Sequence, residues 1–150
     1  MRFFRKAQMS RYALSRKFYK KLFEMSTKKK GIEFSIDNEI GYGFYVGHPY
    51  GITINAKAII GSNVNIHKGV TIGQENRGKR KGTPRIGDRV WIGVNSTIVG
   101  NIVVGNDVLI APNTYINCDI PDHSIVFGNP CIIKHAENAT KDYINHTAEI

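Results

Sequence analysis

A histidine set between a glycine and a proline is the first residue of this chain suited to catalysis. His48 stands in Val46-Gly47-His48-Pro49, a composition that forms a tight turn and presents its side chain outward. Imidazole titrates near neutrality, so it can take a proton from a hydroxyl and return it within one turnover. Glu33 precedes it by fifteen residues, close to one repeat length of the chain, and this spacing places the carboxylate beneath His48. A carboxylate that accepts the Nδ1 proton fixes the tautomer and leaves Nε2 as the base. A base so positioned contributes roughly 10²–10⁴ to a rate. The remaining histidines, His67, His123, His135 and His146, show no His-x4-His pair, and no metal is expected. Cys118 and Cys131 have neither metal nor redox spacing and read as free thiols of a cytoplasmic protein.

The elements that position these residues are written in a six-residue period. One register runs Ile54, Ile60, Ile66, Ile72, and a second runs Ile86, Ile92, Ile98, Val104, Ile110, Ile116. A helix repeats at 3.6 residues and a strand at 2. A sustained period of six is that of a solenoid whose hexads each supply one short strand and one corner. Three hexads close a triangular coil, so ~18 residues advance the stack by ~4.8 Å. The expected fold is an all-β solenoid with a short N-terminal α-helical segment. The pattern enters near Ile36 and Ile40, shifts by two residues at Ile52 and Ile54, and stops after Ile120. Between Gln74 and Arg85 the hexads vanish into QENRGKRKGTPR, a basic segment that must protrude as a loop (74–85).

Residues 1–30 form a separate basic segment without Gly or Pro. Phe3, Ala7, Leu14, Phe18, Leu22 and Met25 recur near helical spacing, interrupted at Ser10/Arg11. This reads as one or two amphipathic helices ending near Lys28–Lys30. They dock either on the solenoid or a sister subunit, or against an anionic membrane. Residues 31–134 hold the solenoid, and 135–150 a polar tail, partly helical or frayed. The chain has 150 residues and a net charge of +9, which points to an anionic partner such as a phosphorylated cofactor. There is no apolar run of ~18 residues to span a membrane and no secretory h-region. The expected location is cytoplasmic, with the inner membrane face as an option. No basic strand is interleaved with aromatics, which argues against nucleic acid.

The chain resembles the hexapeptide-repeat acyltransferases, whose fold is a left-handed parallel β-helix, and within them the serine O-acetyltransferases and related saccharide O-acetyltransferases. The resemblance covers about residues 31–134. It rests on Ile40-Gly41-x-Gly43-x-x-x-Gly47-His48, Val70-Thr71-Ile72-Gly73, Pro84-Arg85-Ile86-Gly87-Asp88-x-Val90-x-Ile92-Gly93 and Gly128-Asn129-Pro130. It implies a homotrimer in which acetyl-CoA lies along the groove between neighbouring coils. His48 then matches the catalytic histidine, and Glu33 falls where serine acetyltransferases carry a supporting aspartate. Gly73, Gly93-Val94 and the turn Ala111-Pro112 match cofactor-binding positions, with Asn129 near the adenine end. Arg77, Arg80 and Lys134 are candidates for the CoA 3′-phosphate, or solvated cations. Thr83, His67 and Tyr42 are candidates for the acceptor pocket. For His67 the alternative is an exposed corner residue. For Tyr42 and Trp91 it is packing in the core or between subunits.

The departures bear on the acceptor. The Arg-His pair that holds an amino acid in serine acetyltransferases is Gly82-Thr83 here, and the aspartate before the histidine is Gly47. Without charged partners the fork-like pairing to a carboxylate and ammonium is lost. The large N-terminal helical domain of those enzymes is replaced by a basic segment of about thirty residues. The expected function is therefore acetyl-CoA-dependent O-acetylation of a sugar or polysaccharide precursor by direct transfer, without an acyl-enzyme. The alternatives are a serine O-acetyltransferase, a non-catalytic trimeric scaffold and, on the same solenoid, a γ-type carbonic anhydrase, which the histidine spacing disfavours. Ile150 matches the C-terminal isoleucine by which serine acetyltransferases dock on cysteine synthase.

Overall fold

A computed structural model describes residues 1–148. Helices α1 (Arg2–Met9) and α2 (Ala13–Lys28) precede the solenoid. The coils then follow in strict order. The first holds β1 (Glu39–Ile40), β2 (Tyr45–Gly47) and β3 (Thr53–Ile54), and the second β4 (Ile59–Ile60), β5 (Asn65–His67) and β6 (Thr71–Gly73). The third holds β7 (Arg85–Ile86), β8 (Val90–Ile92) and β9 (Thr97–Val99), and the fourth β10 (Val103–Val104), β11 (Val108–Ile110) and β12 (Tyr115–Ile116). A closing hairpin pairs β13 (Ser124–Phe127) antiparallel with β14 (Ile132–His135).

Equivalent strands stack in parallel into three faces: β1-β4-β7-β10, β2-β5-β8-β11-β13 with β14 at its edge, and β3-β6-β9-β12. This is the parallel β-helix that the hexads predict. Register places the aliphatics in three columns. Ile40, Ile60, Ile86 and Val104 form one. Val46, Ile66, Ile92, Ile110 and Val126 form the second. Ile54, Ile72, Ile98 and Ile116 form the third. All but the partly buried Val46 lie in the core, and each fully buried aliphatic contributes about 1.5–3 kcal/mol. Asn63, Asn95 and Asn113 take positive φ at corners, a conformation that asparagine tolerates.

The 74–85 segment leaves the coil as a loop between β6 and β7, and one antiparallel bridge closes it into a small hairpin. Glu75 and Gly82 exchange both backbone hydrogen bonds, each 2.9 Å, and the Asn101 amide donates to the Arg80 carbonyl. The tail is also ordered. Beyond β14 it folds back across the outer surface of the second face. Ala139 and Thr140 donate their amides to the buried Asp107 carboxylate at 3.0 and 3.1 Å, and the Thr140 hydroxyl adds a bond of 2.7 Å. Tyr143 then packs on Trp91, His146 stacks on Tyr45, and the Ala148 amide reaches Asn63 Oδ1. Backbone pairing at β14 and a buried carboxylate are long-range events that local composition does not encode. Ile150 lies outside the described residues.

Helix α1 buries Ala7 and packs Phe3 on the core as expected, whereas α2 docks by a different face from the expected one. Phe4, Ala7 and Phe23 are buried, and Phe4, Phe23, Phe34 and Phe44 form a chain of tilted rings 5.0–6.3 Å apart. Arg5 donates to the Ile40 and Gly41 carbonyls, pinning α1 to the first coil. Leu14, Phe18 and Met25, placed by spacing on the apolar face, remain exposed. No helix among the described residues is long and apolar enough to cross a membrane.

Candidate active site

The edge where the second face turns into the third is built from stacked corners. The Gly51 amide donates to Lys30, Gly69 to Tyr50, Asn95 to Lys68 and Asn113 to Val94, each at 2.9–3.0 Å. His48 sits on this edge directly after β2, exposed and with φ of 51°. The left-handed conformation throws its side chain outward from a rigid stack. Gly93, Val94, Ala111 and Pro112 follow β8 and β11 on the same edge. Gly93 is required there, since a Cβ would lie 2.6 Å from the Pro112 nitrogen. Five candidate residues from the sequence thus share one prism edge: the histidine and four positions for a cofactor chain.

His67 joins them from β5, in register with Gly47. Its ring lies 6.2 Å from that of His48 and 4.8 Å from Trp91, which meets Tyr143 of the tail at 5.0 Å. The ring rests directly on Gly47: a Cβ at that position would stand 2.6 Å from both His67 Cε1 and Nδ1. His67 Nε2 and Asn65 Oδ1 are buried and have no hydrogen-bond partner among the described residues. Burial, and secondarily the neighbouring His48, push the His67 pKa below its ordinary value, so the ring is neutral at pH 7.

Glu33 bridges Thr53 at the start of the third face, its amide donating to Ile52 at 2.7 Å and its carbonyl accepting from Ile54. The first coil spans twenty residues, as Gly47 and His67 show, so Glu33 stacks under Thr53 rather than under His48. No hydrogen bond joins Glu33 to His48 here. Glu33 lines a cavity of about 450 Å³ beneath α2. A second cavity of about 550 Å³ is lined by Arg2, Phe23, Phe34, Val46 and Pro49.

The other candidates lie elsewhere. Gly73, Arg77, Arg80 and Thr83 occupy the edge between the third and first faces, where the 74–85 hairpin emerges. Arg80 donates to the Asn117 carbonyl, and the Thr83 hydroxyl to Lys57 at 3.2 Å. Tyr42 lies on the remaining edge with the Arg5 guanidinium 5.1 Å over its ring. Asn129 is in the closing turn, and the Lys134 ammonium sits 5.7 Å over Phe127. The Gly47–His67 contact and Tyr143 escaped sequence reasoning. The two-residue shift at Ile52 and Ile54 was the signal, because it lengthens the first coil and brings 47 under 67.

Residues 83–118 match the family described as bacterial transferase hexapeptide (six repeats). The serine acetyltransferase of Helicobacter pylori is 34% identical over 130 residues, covering 85% of this chain and 73% of that protein. The chain belongs to the hexapeptide-repeat acyltransferases. Serine acetyltransferase 2 of Arabidopsis thaliana is 33% identical, and this acyltransferase chain spans 40% of it. The Neisseria gonorrhoeae serine acetyltransferase structure in complex with serine has a TM-score of 0.68 at 30% identity, covering 88% of this chain and 52% of that one. The acyltransferase chain therefore spans about half the length of that solved relative.

Proposed function

We propose that this acyltransferase moves an acetyl group from acetyl-CoA to a hydroxyl, with His48 as the base. The observation that carries the reading is the exposed His48 imidazole on the prism edge that also presents Gly93, Val94, Ala111 and Pro112. Nε2 takes the proton of the acceptor hydroxyl as its oxygen attacks the thioester carbonyl. The tetrahedral oxyanion collapses, the C–S bond breaks, and the CoA thiolate takes the proton back from His48. The neutral His67 adds no second positive charge beside the imidazolium that forms on His48. Glu33, fifteen residues before His48, is the carboxylate this reading assigns to orient the imidazole, through a hydrogen bond made only with substrates bound.

For the acceptor, the relatives support serine ahead of a sugar. A sugar hydroxyl is the second reading, and one contact favours it. His67 lies over Gly47, so the aspartate that the serine acetyltransferase pattern carries at 47 has no room. A homotrimer accounts for the separation of Arg77, Arg80 and Thr83 from His48, because a neighbouring copy can bring its hairpin edge against this one. The test is thiol release from acetyl-CoA with serine and with sugars. His48→Ala should lower turnover at least a hundredfold while CoA still binds by calorimetry. Near-normal turnover in that variant removes His48 from the reaction, and serine inactive beside an active sugar reverses the order of acceptors.

A further inference from the structure

The net positive charge of the chain is concentrated in residues 1–30. Residues 1–30 carry eleven Lys and Arg against the single Glu24, whereas residues 31–150 carry ten basic and eleven acidic residues. The solenoid is therefore close to neutral, and the helical segment alone accounts for the excess.

On α2 that charge borders an uncovered apolar stripe. Phe23 docks on the first coil and is 4% exposed. At 3.6 residues per turn, Leu14, Phe18 and Met25 project from the opposite side, within about 40° of one another. They are 85%, 60% and 62% exposed. Tyr12 and Met9, at the junction of the two helices, are also exposed. Lys17, Lys21 and Lys28 run along one flank of the stripe. Arg16 pairs with Asp37 and Lys20 with Glu24, but none of these three lysines meets a carboxylate among the described residues.

We infer that the outer face of α2 seats on an anionic phospholipid bilayer surface. Aliphatic and aromatic side chains beside a row of lysines enter the headgroup boundary while the ammonium groups stay at the phosphates. Charge decides against the other occupants. A second copy of this face would bring another net +10 against the first. A nucleic acid would satisfy the lysines and leave the stripe in water. Binding at this face is independent of the acetyl-transfer reading, since none of these residues lies on the His48 edge.

The test is co-sedimentation of the intact chain with extruded vesicles of phosphatidylcholine and phosphatidylglycerol at 3:1, and with phosphatidylcholine alone. The protein should pellet at least tenfold more strongly with the anionic vesicles, and added salt should weaken this. Leu14→Glu with Phe18→Glu, and separately Lys17→Glu with Lys21→Glu, should each lower binding tenfold or more with an unchanged circular dichroism spectrum. Equal pelleting with both vesicle types overturns the inference, as does wild-type binding by the Leu14/Phe18 variant. So does a lipid-free assembly that dissociates in that variant, which would assign the stripe to a second copy.

Discussion

Replacing Gly47 with alanine sets two effects of opposite sign against each other. The φ of Gly47 is not in the left-handed region, so an alanine adopts the backbone and restricts the unfolded chain, which stabilises by about 0.4–1 kcal/mol. Its Cβ, however, would stand 2.6 Å from two His67 ring atoms, well inside ordinary contact. The ring cannot retreat freely, because Trp91 lies 4.8 Å away and is itself backed by Tyr143. Overpacking of this kind costs about 1–3 kcal/mol, so Gly47→Ala should destabilise by roughly 1–2 kcal/mol. In a His67→Ala background the obstacle is gone, and the same substitution should be neutral or stabilising. The coupling between the two sites should then be about 1–3 kcal/mol, read from urea unfolding of the four variants at one protein concentration. Additivity within about 0.5 kcal/mol would refute the packing of His67 on Gly47, and with it the argument against an aspartate at 47.

Asp107 offers a second probe. Hydrogen bonds from Thr140, His123 and Ala139 hold its carboxyl down at about 2, outweighing burial. Because the folded pKa is depressed, the stabilisation is present above about pH 4 and is lost as pH falls through 2. Asp107→Asn should therefore cost roughly 1–2 kcal/mol at pH 7, allowing for solvent screening, should speed amide exchange in the tail, and should match wild type near pH 2. His67 runs the other way for a base: its lowered pKa favours the neutral ring, so the fold is penalised as pH drops below about 6.5. Thermal scans at pH 8 and pH 5 should show a smaller loss for His67→Gln than for wild type. Cys118 and Cys131 have sulfurs 3.6 Å apart, and burial together with Cys118 pushes the Cys131 thiol up. Iodoacetamide should label Cys131 more slowly than free cysteine at pH 7.5, followed by mass spectrometry.

The coils were legible because stacking reads one residue type at one period. Ile66, Ile92 and Ile110 recur by hexads, and their register follows directly. His48 was legible for a related reason: a Gly-His-Pro turn has no place in that pattern. Contacts between elements were not legible. Leu14 and Phe18 satisfied helical spacing, yet Phe4 and Phe23 took the docking role, because spacing defines a face without saying which face meets the coil. The pairing of Cys118 with Cys131 depends on the β13–β14 turn. The position of Glu33 under Thr53 depends on a first coil of twenty residues, where Arg85 and Val103 two coils on are eighteen apart.

A prism of stacked coils has only neighbour-to-neighbour contacts, so left alone it can unzip from either end one rung at a time. The returning tail changes this. It touches the fourth coil at Asp107, the third at Trp91, the second at Asn63 and the first at Tyr45. Loosening any rung therefore strains a clasp that grips all four. The chain should melt in one concerted step, and trimming the clasp should split that step into a graded one.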